Sequence, residues 1–137
     1  MLICIDSSVF IPGFRGSEPA ATHLLDSVGP KLNLIIPWLV AKEVTRNLTN
    51  ATQIRHFYFL FQSHTFARII DQPVPREFVN KYVNLGLPAK ADAFIGAFAE
   101  WQQVDYLISA NRHFLATHAT AFKILSPSKF LSDIIKP

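Results

Sequence analysis

Asp92 is the residue whose chemistry fits its surroundings least. Between Ala91 and Ala99 it is the one position that is neither apolar nor glycine. Read as a helix, which Ala, Phe and Ile without an internal Pro permit, the stretch gives Asp92 the neighbours Ile95, Gly96 and Ala99 at i+3, i+4 and i+7. That is not a solvated face, and an ionised carboxylate there is costly unless a cation or a hydrogen-bond donor compensates it. Lys90, two residues away, falls elsewhere on the wheel. Asp6, Glu43 and Asn111 complete a set of oxygen donors. Three carboxylates and an amide in one crevice repel one another unless a hard cation neutralises them, and Mg²⁺ or Mn²⁺ with retained waters suits that set. Metal-bound water is more acidic than bulk water and the ion polarises a phosphoryl oxygen, so the implied reaction is phosphodiester hydrolysis by in-line attack.

The elements that must position these residues follow from hydrophobic periodicity. MLICI is an apolar run of strand formers ending in Asp6-Ser7-Ser8, and reads as a central parallel strand entering a loop that contains Pro12-Gly13. Ser17-Glu18-Pro19 starts a helix in which Ala21, Leu24, Leu25 and Val28 keep helical spacing until Gly29-Pro30. Leu34-Ile35-Ile36 is a second strand, closed by Pro37, and Leu39, Val40, Val44 and Leu48 mark an amphipathic helix with Glu43 in its middle. Between residues 50 and 63, HFYFLF is hydrophobic all round, which predicts a helix packed on its own core on one side and on a partner on another. A third strand at 66–70 and a short helix at 75–82 come next.

VDYLIS reads as a buried strand from Val104, with Ala110-Asn111 the turn at its C-terminal end. A short helix from Arg112, a strand at 122–125 and a helix started by Ser126-Pro127 end the chain. Alternation of strand and helix predicts an α/β domain with a parallel sheet and right-handed crossovers, whose ligands sit beyond the C-terminal strand ends. Asp6 and Asn111 then lie just past two strand ends, with Glu43 and Asp92 on helices flanking the same edge. They converge if the first strand is the switch point. Asp105, at the start of its strand, is about 13 Å from that edge at ~3.3 Å per residue, and is excluded.

With 137 residues and no linker or repeat, the chain fits one domain, residues 1–137, large enough to fold without staples. Half the residues are hydrophobic and 17% charged, which argues against disorder and leaves apolar surface for a partner. The single Cys4 cannot form an intramolecular disulfide, and reads as a buried residue of a cytoplasmic protein. No secretory signal or membrane-spanning run is recognisable. A net charge of +3 permits a polyanion without requiring one. The histidines lack metal-ligand spacing, and a phosphate loop, nucleophile elbow and dinucleotide fingerprint are missing.

Each site residue also has an ordinary structural explanation. Asp6 can cap the turn that follows it, and Asn111 can be a turn or cap residue. Glu43 can sit on a solvated face and pair with Arg46 at i+3. Ser7, Ser8 and Ser109 either orient the metal shell or cap.

Three stretches together resemble the PIN-domain family along the whole chain: ICIDSSVFI, PWLVAKEVTRNL with its Glu43, and KADAFIGAFAEWQQVDYLISANRHF. The last is the most specific, an Asp-Ala helix of small residues followed by a strand ending in Ser/Thr-x-Asp or Asn, then a basic residue and Phe. The resemblance implies a three-layer α/β/α sandwich around a central parallel sheet. It also implies that Asp6, Glu43 and Asp92 are catalytic metal ligands, with Asn111 in the fourth place, often an Asp. Further implications are Mg²⁺- or Mn²⁺-dependent cleavage of RNA and, for many small members, a role as the toxin of a VapBC-type toxin–antitoxin pair, commonly dimeric and silenced by an antitoxin. Substrate contacts are expected from Ser8, Ser109, Arg112 and Lys90, with His113 and Lys42 nearby. An amide in place of a carboxylate brings an oxygen but no charge, so a second metal ion would bind more weakly. The rival readings are a housekeeping RNA-processing nuclease and a non-catalytic module that binds RNA or protein.

Overall fold

The computed structural model describes residues 1–62, 65–88, 91–119 and 121–135. Five strands, β1 (Leu2–Ile5), β2 (Asn33–Pro37), β3 (Ala67–Ile70), β4 (Tyr106–Ile108) and β5 (Lys123–Leu125), form one parallel sheet in the order β3-β2-β1-β4-β5. Central β1 lies with Ile3 opposite Leu34 of β2 and Tyr106 of β4. Ile3, Cys4, Ile5, Leu107 and Ile108 are all fully buried, as strands covered on both faces require.

The helices are α1 (Ser7–Arg15), α2 (Pro19–Asp26), α3 (Trp38–Asn47), α4 (Ala51–Leu60), α5 (Arg76–Asn84), α6 (Ala91–Trp101), α7 (Arg112–Leu115) and α8 (Pro127–Phe130), which runs into a π-helical turn, Leu131–Ile135. From β1 to β2 to β3 the chain steps one way across the sheet, so right-handed crossovers put α1 to α4 on one face. The jump from β3 back to β4 puts α5 and α6 on the other. Contacts of α1 with α2, α3 and α4, and of α5 with α6, agree with that division. The strand order reverses between β1 and β4, which makes β1 the switch point and gives the three-layer α/β/α arrangement.

Three expectations change. The stretch after Asp6 is a helix, α1, and not a loop. Pro12 inside it removes a backbone hydrogen bond, at a cost of about 3 kcal/mol in an ordinary helix interior. The buried Val9 and Phe10, with Phe10 stacked on Phe14 and edge-on to Phe57, outweigh that local penalty. Gly13 is a contact residue, since a Cβ there would lie 2.7 Å from Leu25 Cδ1 on α2. The helix ends at Gly16, whose φ of +75° is the left-handed cap conformation that glycine adopts without strain.

The second change is in β4, which starts at Tyr106 and not at Val104. Asp105 lies just before it, accepts the Leu2 N–H at 2.9 Å, and is tied to the N-terminal edge, away from the site. Helix α4 packs on the core on one side as expected, with Phe57 buried, while Phe59 is 74% exposed and Tyr58 44%. Last, the C-terminal helix widens into the π-helical turn after Phe130.

Candidate active site

Asp6 follows β1 directly, and its N–H donates to the Ile108 carbonyl of β4 at 3.2 Å, so the residue is pinned where the two strands diverge. Its backbone is extended and it is the N-cap of α1. Oδ1 accepts the Ser8 N–H at 3.1 Å and the Ser8 hydroxyl at 2.5 Å, and Oδ2 accepts the Ser109 hydroxyl at 2.7 Å. A carboxylate has roughly four lone-pair sites. Three are taken, and one on Oδ2 stays open. Burial pushes the carboxyl up to about 6, against the downward pull of the Ser8 and Ser109 hydrogen bonds, and the Asp92 charge adds to the rise. Capping and a place in the site are therefore compatible for Asp6.

Ser8 and Ser109 serve Asp6. Each hydroxyl donates to it and accepts a backbone N–H in return, Ser8 from Ala110 and Ser109 from Asn111, both at 2.9 Å. Ser109 is fully buried. Ser109 is too buried for the substrate contact expected of it, while Ser8 is half-buried with its proton directed at Asp6. What they do is hold the carboxylate.

Glu43, half-buried in the middle of α3, accepts the Ser7 hydroxyl at 2.5 Å. The alternative pairing with Arg46 is not formed: the ion pairs among the described residues are Lys81–Glu100 and Lys129–Asp133. Ser7, the first residue of α1, thus links that helix to α3.

Asp92 sits in the first turn of α6, half-buried, above the buried Ile95, Gly96 and Ala99. Its partner is Asn111, whose Nδ2 lies 3.5 Å from Asp92 Oδ2. Asn111 caps α7 with its Oδ1 on the His113 N–H at 2.9 Å. Because the oxygen is fixed by that cap, the amide turns its NH₂ towards the carboxylates. Asn111 presents a donor to the site where the expected ligand role needs an oxygen.

Arg112 and His113 on α7 and Lys42 on α3 are exposed beside these residues, and Lys90 lies outside the described residues. Sequence reasoning passed over Trp38, 40% exposed on α3 one turn before Lys42. Its signal was an indole at i−4 from a lysine on a helix whose apolar face lies elsewhere. Cys4 is fully buried, and burial pushes its thiol well above the ordinary range, so it takes no part in chemistry.

Among the described residues no three His, Cys, Asp or Glu side chains are gathered closely enough to hold a metal ion. Each carboxylate instead has a hydroxyl or amide donor of its own, Ser8 and Ser109 on Asp6, Ser7 on Glu43 and Asn111 on Asp92. The donor set nevertheless suits a hard cation that keeps most of its waters: Asp6 has an open lone pair, and Asp92 is near enough for its charge to act on Asp6.

No protein-family model matches the sequence, and no curated protein matches it either. Solved structures do share its fold. A chain in the structure of VapBC2 from Rickettsia felis, bound to a DNA fragment from its promoter, is 13% identical with a TM-score of 0.64, over 90% of this chain and 97% of that one. VapBC-1 from nontypeable Haemophilus influenzae gives 15% identity and a TM-score of 0.66, over 94% of this chain and all of the other. FitAcB from Neisseria gonorrhoeae gives 16% and 0.55, over 92% of this chain and 98% of the other. At such identities the likeness establishes the fold. That shared fold is a parallel sheet between layers of helices, the architecture that the sequence resemblance implies.

Proposed function

We propose that this protein is a divalent-metal-dependent endoribonuclease and the toxin of a toxin–antitoxin pair. The observation that carries the reading is Asp6, buried where β1 and β4 diverge, held by Ser8 and Ser109 with one lone pair open, and within reach of the Asp92 charge. The shared fold with VapBC and FitAcB proteins supports a protein antitoxin as partner. The exposed Tyr58 and Phe59 of α4 offer a surface for that partner or for a homodimer. No described helix is long and apolar enough to cross a membrane, and the cytoplasm is the compartment the reading assigns.

Asp6 and Asp92 would hold Mg²⁺ or Mn²⁺, which when bound supplies charge stabilisation on the phosphoryl group and a more acidic water. Ser8 and Ser109 fix the direction of Asp6. Glu43, oriented through Oε1 by Ser7, takes the proton of the attacking water at Oε2 as the water oxygen bonds to phosphorus and the ribose oxygen leaves. Lys42 and Arg112, both exposed, neutralise phosphates of the bound strand.

One observation favours a second reading. The Asn111 NH₂ gives Asp92 a partner that is not a metal, which suits a non-catalytic module that binds RNA or protein. Incubating total RNA with wild type and Asp92→Asn in Mn²⁺ and in EDTA decides between them. Metal-dependent cuts lost in the variant support the nuclease, whereas no cutting by either protein, together with a biological effect that survives Asp92→Asn in a separate assay, supports the module.

A further inference from the structure

We infer that a groove beside the carboxylates seats an unpaired base of the RNA strand, with Trp38 as the stacking surface and Lys42 as the phosphate contact. This rests on the nuclease reading and specifies how that site meets its substrate. The groove has a volume of about 590 Å³ and is bounded by Trp38 and Lys42 of α3, Phe94 of α6, and Asp71, Gln72 and Pro73 after β3.

Its place follows from the chain. Trp38 and Lys42 are i and i+4 on α3 and share a face, while Glu43, the next residue, reaches Ser7. Phe94 is two residues beyond Asp92 on α6, and the segment after β3 lies at the C-terminal edge of the sheet. Trp38 is five residues from Glu43, about 7.5 Å along the helix axis at 1.5 Å per residue. A single nucleotide spans that distance, so a strand whose scissile phosphate lies at the carboxylates delivers a flanking base to the groove.

The mixture of groups selects the occupant. An apolar side chain of a protein partner would fill the aromatic walls and leave Lys42, Asp71 and Gln72 without a counterpart. A nucleotide matches all of them: the base stacks on the indole, its edge meets the carboxylate and amide, and its phosphate meets the ammonium. The base must be unpaired, because a duplex hides the stacking face. Trp38 lies outside the carboxylate set, so its removal alters strand binding without touching the reacting atoms.

The test is fluorescence anisotropy of a fluorescein-labelled ten-nucleotide RNA of random sequence, titrated in EDTA with wild type, Trp38→Ala, Trp38→Phe and Lys42→Ala. Stacking is worth enough that Trp38→Ala is expected to weaken binding about tenfold, with Trp38→Phe within about threefold of wild type. Lys42→Ala is expected to reduce the slope of log K against log salt by about 0.7. Equal binding by wild type and Trp38→Ala, or an equal loss in Trp38→Phe, overturns the assignment and leaves the groove to a protein partner. A wild type that cuts total RNA in Mn²⁺ but does not bind the probe overturns the base seat alone. A wild type that neither binds nor cuts removes the nuclease reading as well.

Discussion

The side-chain NH₂ of Asn111 lies 3.5 Å from Asp92 Oδ2 while its oxygen accepts the His113 N–H at 2.9 Å. One amide thus caps α7 and offers the acidic cluster a donor. Asn111→Asp keeps a good cap residue but replaces that donor with a further negative charge. Without metal the variant is expected to be less stable than wild type by about 1–2 kcal/mol, and Mn²⁺ to raise its melting temperature by more than it raises that of wild type. Melting curves in EDTA and in Mn²⁺ check this. Equal metal-induced shifts in the two proteins would show that Asn111 does not set the charge of the site.

Asp6 brings a pH dependence whose sign follows from its burial. In the fold it titrates near 6, against about 3.9 in an unfolded chain. Between those values the folded state holds a proton that the unfolded state has lost, so this group stabilises the fold as pH falls and opposes it, by about 1–3 kcal/mol, once ionised above 6. In EDTA, wild type is expected to gain stability relative to Asp6→Asn between pH 7.5 and pH 5. A difference that stays constant over that range contradicts the placement of Asp6.

Ser7 and Glu43 join α1 to α3 through a 2.5 Å hydrogen bond. Ser7→Ala removes the donor and leaves a half-buried carboxylate oxygen unpaired, so urea denaturation should report a loss of about 1 kcal/mol. The same variant should cleave RNA more slowly, because Glu43 loses its orientation. Unchanged stability and unchanged cleavage together would remove Ser7 from the site.

On the other face of the sheet, Glu100 on α6 accepts from Tyr82 Oη and Lys81 Nζ on α5, both at 2.8 Å. Burial pushes the Glu100 carboxyl up, but those hydrogen bonds and the Lys81 charge outweigh it and hold the group below its ordinary value. A depressed carboxyl stabilises above the unfolded value and loses that contribution as pH falls through the folded one. Tyr82→Phe is therefore expected to raise the Glu100 titration in NMR and to cost about 1 kcal/mol of stability at neutral pH. An unmoved Glu100 titration would show that Lys81 alone accounts for its acidity.

The layered α/β/α fold and the edge that carries the site were legible because they rest on strong local signals. The apolar run at Leu2–Ile5, the spacing of Leu24 and Leu25, and Ile36 closed by Pro37 each fix an element with few alternatives. Helix α1 was hidden because Pro12 and Gly13 are turn residues by propensity, and only contacts of Phe10 and Gly13 with distant residues show otherwise. The meeting of Asp6 and Asp92 followed from topology, but their hydrogen-bond directions did not. Whether Ser109 faces RNA or Asp6, and which end of the Asn111 amide faces Asp92, is decided by tertiary placement that no spacing encodes. The groove under Trp38 was invisible for the same reason, since its walls come from three separate parts of the chain.

The most direct test of the central claim is the chemistry of the RNA ends left by the purified protein in Mn²⁺, with Asp92→Asn and EDTA as controls. Water as the nucleophile leaves a linear phosphate on one end and a hydroxyl on the other, and both controls should yield no cuts. Ends carrying a 2′,3′-cyclic phosphate, formed when the ribose 2′-hydroxyl attacks, or cutting that persists in Asp92→Asn, would contradict a metal-dependent hydrolase built on Asp6 and Asp92.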